Sequence, residues 1–277
     1  DIENINIVKE KNNKLNIKTN FKGGEDIAWD RLNYYFFEKK LLSVYKKTRN
    51  GLLGMDYSSK FSPYLAFGNI SARSIFDMIK KYEKTVEKND STYWLYFELL
   101  WRDYFKFLSI KHGNNIFKLT GIKNKKINWR PNDENTILLF KKWKEGKTGY
   151  PYVDANMIEL KETGFMSNRG RQMVASFLVK DLKIDWRLGA EYFESILIDY
   201  DVASNYGNWN YAAGIGTDPR DNRYFNVYKQ AKNYDKDCKF ILHWIPELKN
   251  TNKNDIINKK NLFNYHKPIV NIKNYYK

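Results

Sequence analysis

Asp199-Tyr-Asp-Val-Ala-Ser-Asn-Tyr-Gly-Asn-Trp-Asn-Tyr-Ala-Ala-Gly-Ile-Gly-Thr-Asp-Pro-Arg220 decides how this chain reads. Carboxylates, amides, an indole and a phenol crowd into a short stretch, and small residues follow that would let something flat come close. Buried polar groups without partners destabilise a fold. A large polar aromatic ligand would supply those partners. Asp199 and Asp201 follow a stretch that reads as a helix over about 186–198. Carboxylates at a helix end oppose its dipole, so an Arg partner or a ligand donor is expected beside them. Paired acids also suit general acid/base chemistry, but no sugar-cleft signature accompanies them.

Upstream, the chain reads as helices. Ala28, Leu32, Tyr35, Phe36 and Leu42 recur near a 3.6-residue period from Asp26 onward. Ser62-Pro63 reads as an N-cap with proline at the first helical position. Ser71 opens a helix towards Lys81, and Ser91 a long one to Lys111. Asn132-Asp133 caps another through Trp143. Further helices are expected at about 153–162 and 167–182, and one after Cys238 to Leu248. Period-two alternation is nearly absent, and no βαβ pattern or glycine-rich phosphate loop is visible. The reading is an all-α fold: a linker or tail over 1–22, a helical domain over 23–250 and a peripheral C-terminal tail over 251–277.

Composition narrows the chemistry. The 277 residues carry 48 Lys and Arg against 32 Asp and Glu, a net charge of +16. That favours a polyanionic partner such as nucleic acid; codon bias towards Lys, Asn and Ile is the competing explanation. Only ten of the basic residues are Arg, and Arg102, Arg169, Arg171, Arg220 and Arg223 fall inside the motifs. Planar multidentate donors matter at those points. One cysteine, Cys238, excludes an internal disulfide. With one Cys and three scattered His, a Cys/His metal site is not expected. No apolar run reaches membrane-spanning length, and the first residues resemble neither a signal nor a transit peptide.

Several constellations stand out. Glu98, Trp101 and Arg102 share one helix face at i, i+3 and i+4. They are either a surface ion pair beside a core indole or the wall of a ligand site. Asn168-Arg169-Gly170-Arg171 opens a helix with two guanidiniums, as an ordinary cap or as an anion site. Tyr57-Ser-Ser-Lys-Phe-Ser-Pro63 brings hydroxyls and backbone donors to a helix start, which suits phosphate.

Together with Val44-Tyr-Lys-Lys-Thr-Arg-Asn-Gly51, Phe97-Glu-Leu-Leu-Trp-Arg-Asp-Tyr104, Lys147-Thr-Gly-Tyr-Pro151, Thr163-Gly-Phe-Met-Ser-Asn-Arg-Gly-Arg171, Ile184-Asp-Trp186 and Asp221-Asn-Arg-Tyr-Phe225, these segments resemble the DNA photolyase/cryptochrome family, and most closely its cryptochrome DASH branch. The resemblance implies a helical domain clasping FAD. It places Tyr45, Ser58, Ser59, Phe61 and Ser62 against the cofactor, with the serines near its phosphates. Glu98 and Arg102 would lie between cofactor and substrate. Asn168 and Arg171 would flank the flavin, Arg171 paired to Asp199. Asp201 would bond the adenine side or ring edge, and Asn205 would face flavin N5. Trp209, Trp186 and Trp129 match the family's electron-relay tryptophans.

For substrate, the resemblance implies a pyrimidine dimer flipped from its stack. Trp101 and Tyr211 would wall it, Glu98 would bond its edge, and Arg49 and Arg169 would meet the flanking phosphates or the dimer. Tyr211 stands where most related photolyases carry Trp, and this smaller wall goes with single-stranded DNA. Ser167 stands where repair of (6-4) lesions would want a histidine, which disfavours that chemistry. The family's N-terminal α/β antenna domain has no counterpart in this chain. The expected activity is light-driven repair of cyclobutane pyrimidine dimers by a carbon–carbon lyase, catalysed through Glu98, Trp101, Asn168, Asn205 and Tyr211. A blue-light photoreceptor with a signalling partner is the alternative. The protein is expected to be intracellular and monomeric.

Overall fold

The computed structural model describes residues 19–220, 223–260, 262 and 264–272; most of the expected N-terminal tail, and Asp221 and Asn222 of the last motif, lie outside them. The described residues form thirteen α-helices and no strand, as the absence of alternation implied.

The first helical stretch does not run as one rod. Glu25–Asn33 (α1) passes into a π turn, Tyr34–Glu38, then a left-handed Lys40 and a 3-10 turn, Leu41–Val44, before Tyr45–Thr48 (α2). The wide π turn brings the adjacent Tyr35 and Phe36 both into the core, where each is fully buried. Ser62–Ala66 (α3) is a five-residue helix with Pro63 in its first turn. Ser62 does not cap it as expected: it is the first helical residue, and its hydroxyl donates to Asp199 instead. Ala72–Thr85 (α4) is capped by Ser71, whose hydroxyl accepts from the Ser74 N–H.

Asp90–His112 (α5) is the longest helix. Asn89 caps it, not Ser91, in a capping box with Thr92. The Ser91 hydroxyl accepts from the Lys46 N–H, tying α5 to α2. Glu134–Lys144 (α6) is capped by Asp133, and Pro151–Thr163 (α7) opens on proline and stops at left-handed Gly164. Asn168–Ser176 (α8) is capped by Ser167 rather than by Asn168, and ends in a π turn, Phe177–Asp181. Trp186–Ile196 (α9) follows.

Val202–Ala213 (α10) has no counterpart among the expected helices. Its Asn and Gly residues are poor helix formers because short amides compete for the backbone. Tertiary packing overrides that preference. Asp201 caps it by accepting from the Ser204 N–H. Asn205 donates to Ala190 O, and Asn210 donates to Ile116 O and accepts from the Ile122 N–H. Gly207 lets α10 approach α5, since a Cβ there would collide with the Phe105 ring. The two carboxylates therefore do not share one helix end. α9 stops before Asp199, and Asp201 opens α10, where its charge suits the dipole.

Val227–Tyr234 (α11) and Lys239–Trp244 (α12) come next. The expected helix after Cys238 breaks at Ile245, and a 3-10 turn, Pro246–Leu248, follows. Lys253–Asn258 (α13) lies in the segment expected to be peripheral. There Ile256, Ile257 and Ile272 are buried, and Tyr265 donates to the fully buried Asp154.

Two apolar cores result. The smaller gathers Leu32, Ile75, Ile79 and Leu95 from α1, α4 and α5. The larger gathers Trp143, Met157, Val174, Trp186 and Trp209 from α6 to α10. Between them the 57–62 loop, α5, α8 and α10 enclose a cleft.

Candidate functional site

The cleft holds about 520 Å³, within the range of small-molecule sites. Its deep end is built on the serine loop. One residue holds that loop: Arg31 of α1 donates from Nε to Ser59 O at 3.1 Å and from Nη2 to Ser58 O and Met55 O at 3.1 and 2.8 Å. Its Nη1 pairs with Asp56 at 3.0 Å. With those carbonyls drawn outward, Ser58, Ser59, Phe61 and Ser62 line the cleft beside Tyr45.

Asp199 anchors the floor. Its side chain is 1% exposed, and its Oδ2 accepts from Ser62 Oγ at 2.6 Å and from Arg171 Nη2 at 2.8 Å. Arg171 is itself fixed by donating from Nε to Met166 O at 2.9 Å. The pairing of Arg171 with Asp199 thus exists in the fold. Asp201, Asn168 and Asn205 also border the space, as does the indole of Trp209.

The mouth is built on α5 and the end of α10. Glu98, Trp101 and Arg102 share the cleft-facing side of α5, and Arg49 pairs with Glu98 through Nη1 and Oε1. Trp101 is 36% exposed. Arg102 pairs with Asp103 at 3.4 Å. Opposite, the Tyr211 hydroxyl accepts from Arg223 Nη2 at 2.8 Å, and Arg223 is held by Asp218.

Arg169, expected to meet the substrate side, and Trp186 and Trp129, named as relay residues, do not border the cleft. Arg169 donates to Asn50 and Gln172, and its guanidinium sits over the Tyr234 ring. Trp186 is fully buried and meets Tyr206. Trp129 packs on the larger core with its indole N–H buried and unpartnered. The ring contacts of Trp209 run instead to Phe193, at 5.2 Å between centroids, and to Trp143, at 6.4 Å.

Sequence reasoning did not single out Arg31, Lys60, Glu159 or Trp143. Lys60 sits inside a quoted motif, which is a local signal. Arg31, Glu159 and Trp143 reach the site only through tertiary packing and leave no such signal.

The chemistry of the lining fits FAD. Two polar atoms at the deep end, Asp199 Oδ1 and Tyr57 Oη, are buried without a partner, and a native fold seldom leaves such groups unmet unless a ligand meets them. Hydroxyls suit phosphate, amides suit a ring edge with donors and acceptors, and Phe61, Phe193 and Trp209 offer flat apolar surface. Among the described residues, no helix is long and apolar enough to cross a membrane, and no group of three or more His, Cys, Asp or Glu could hold a metal ion.

Comparison with known proteins agrees with this geometry. Residues 94–277 match the family model described as the FAD binding domain of DNA photolyase. The chain is 57% identical over 233 residues to a chloroplastic/mitochondrial cryptochrome DASH of Oryza sativa subsp. japonica, covering 84% of this chain and 39% of that protein. It superposes on the crystal structure of a Synechocystis sp. PCC6803 cryptochrome with a TM-score of 0.87 at 51% identity, over 92% of this chain and 55% of the other. An archaeal photolyase from Sulfolobus tokodaii, solved with two FAD molecules, superposes with a TM-score of 0.74 at 34% identity, over 91% and 54%. The chain spans about two fifths of the length of that rice relative. The chain therefore belongs to the DNA photolyase/cryptochrome family, in its cryptochrome DASH branch, and carries that family's FAD binding domain.

Proposed function

We propose that this chain, with FAD in its cleft, drives blue-light repair of cyclobutane pyrimidine dimers in single-stranded DNA, as a deoxyribodipyrimidine photolyase-type lyase. The observation that carries the reading is the division of one cleft into a polar floor and an aromatic mouth. When bound in reduced form and lit, FAD supplies an electron that opens the two ring bonds and returns, so no net redox change results.

The protein's work is then binding and orientation. Ser58, Ser59 and Ser62 meet the phosphates, with Tyr45 and Phe61 against the body of the cofactor. Asn168 and Asn205 flank its ring system, Arg171 and Asp199 fix that flank, and Asp201 takes the adenine side. Trp101 and Tyr211 enclose the flipped bases. Glu98 accepts from a pyrimidine edge, while Arg49 meets a neighbouring phosphate and Arg102 lies between cofactor and substrate. A single strand has already lost its pairing, so less energy is needed to bring the dimer to the mouth. The net charge of +16 favours such a polyanion.

The test uses a short UV-treated single-stranded oligonucleotide and the protein with reduced FAD. Dimers should disappear in blue light and persist in the dark. Persistence in both, with reduced FAD bound, removes the enzyme reading.

Photoreception is the second reading, favoured by the ring contacts that leave the cleft through Trp209. With Trp186 and Trp129 as further members, such a path would reduce the flavin in light and alter a surface read by a partner. Light-dependent protection of the chain from protease, in the absence of DNA, would support it.

A further inference from the structure

Lys60 is an unusual residue for its place. It is 4% exposed, in the serine loop between Ser59 and Phe61, with left-handed backbone at φ 60°. Its ammonium lies 3.5 Å from the centroid of the Tyr57 ring and 4.3 Å from that of Phe165. Among the described residues it makes no ion pair. The aromatic faces attract a cation, but they do not replace its lost hydration.

The acid that acts on it most strongly is Glu159 of α7, which is 8% exposed with Oε2 buried and unpartnered. The other groups facing this pair are Arg31 from α1, Tyr57 from the loop, Arg171 from α8 and Asp199 from the segment after α9. Two of the three carboxylate or phenol groups here that lack a full set of partners, Tyr57 and Asp199, border the cleft directly, as does Lys60. A basic and an acidic side chain are thus buried within each other's electrostatic reach, with no ion pair between them among the described residues, and Lys60 borders the cleft.

We propose that Lys60 and Glu159 form a proton store behind the serine-lined end of the cleft, and that a ligand bringing phosphate there draws a proton from solvent onto the pair and fixes Lys60 as a cation. This rests on the placement of the FAD phosphates along Ser58, Ser59 and Ser62. Lys60 is then a binding residue that the serine motif conceals, and Glu159 a positioning residue that sets its charge.

The direction of the pH effect follows. Burial pushes Lys60 down to about 7 and Glu159 up to about 8, each partly opposed by the other's charge. In the empty cleft the pair therefore holds its protons in mild acid and sheds them as pH rises through the range of about 7 to 8. A phosphate-bearing ligand favours positive charge and raises both values. Below pH 7 both states are already protonated, and binding moves no proton. Above it, binding takes protons up, and affinity falls as pH rises, by up to about tenfold per pH unit for each proton linked.

The experiment is calorimetric titration of the flavin-depleted full chain with FAD, in buffers of differing ionisation enthalpy. Wild type should take up almost no proton at about pH 6 and between about one and one and a half at about pH 8, with affinity about tenfold or more weaker at the higher pH. Lys60→Met should bind about five- to twentyfold more weakly at low pH, with uptake above pH 7 reduced to what Glu159 alone contributes. Glu159→Gln should leave only the uptake that Lys60 contributes, smaller than that of wild type at about pH 8. Wild-type binding with equal affinity and no uptake across this range overturns the proposal, whatever the variants do. Failure to bind FAD at every pH overturns the cofactor reading instead.

Discussion

The floor and the mouth of the cleft each carry an arginine–carboxylate pair, and the two pairs live in different solvents. At the floor the Asp199 side chain is 1% exposed against Arg171 at 25%; at the mouth Arg49 and Glu98 are 19% and 29% exposed. The floor pair is embedded further, because Ser62 and Met166 O hold it from either side. The mouth pair can open towards water without leaving a charge stranded. Removing one partner is therefore costly at the floor and mild at the mouth. The same asymmetry suits the two jobs: a resident cofactor needs fixed groups, and a visiting base needs groups free to be captured.

Substitutions can break that contrast. The largest effect is expected from Arg171→Ala, which leaves the Asp199 carboxylate buried and unpaired. Stability should fall by about 3 kcal/mol, and flavin content should collapse, read by thermal unfolding and by absorbance of the purified protein. Full flavin retention would mean that this pair does not hold the cofactor. Next comes Trp101→Ala at the mouth. Loss of one stacking plate should weaken dimer-containing oligonucleotide by about 2 kcal/mol, while flavin content stays near wild type. Loss of flavin instead would move Trp101 from the substrate side to the cofactor side.

Ser62→Ala removes one charge-assisted hydrogen bond from Asp199. About 1.5 kcal/mol of stability or FAD affinity should go with it, measured by denaturant unfolding and by titration of the flavin-depleted chain. The smallest effect on stability belongs to Glu98→Gln. The melting free energy should change by less than about 1 kcal/mol, although dimer binding should weaken. A drop as large as that of Arg171→Ala would abolish the distinction between floor and mouth.

The sequence made some parts of this molecule plain and hid others. Ser71 and Asp133 cap the helices they were expected to cap, because a cap is a contact within one turn of chain. The long helix through Trp101 was legible because its apolar residues recur with the helical period over many turns. α10 was not, because its local propensity is poor and its stability comes from α5, α9 and two asparagine side chains, Asn205 and Asn210, reaching distant carbonyls. Ser62 looked like a cap because Ser-Pro usually is one; its true partner lies 137 positions away. The C-terminal segment looked peripheral by composition, yet Tyr265 reaches Asp154 across 111 positions.

By itself the sequence determined the helical class and the family, and it named the serines, Arg171 and Asp199 that line the cleft. Those rest on residue types at short, fixed separations, and short separations translate directly into local geometry. Only the tertiary structure decided that Arg31 draws the serine loop into shape, that Arg169 turns away from the cleft, and that Lys60 and Glu159 are both buried. Burial and long-range pairing depend on which distant helices come together, and no single stretch of chain carries that information.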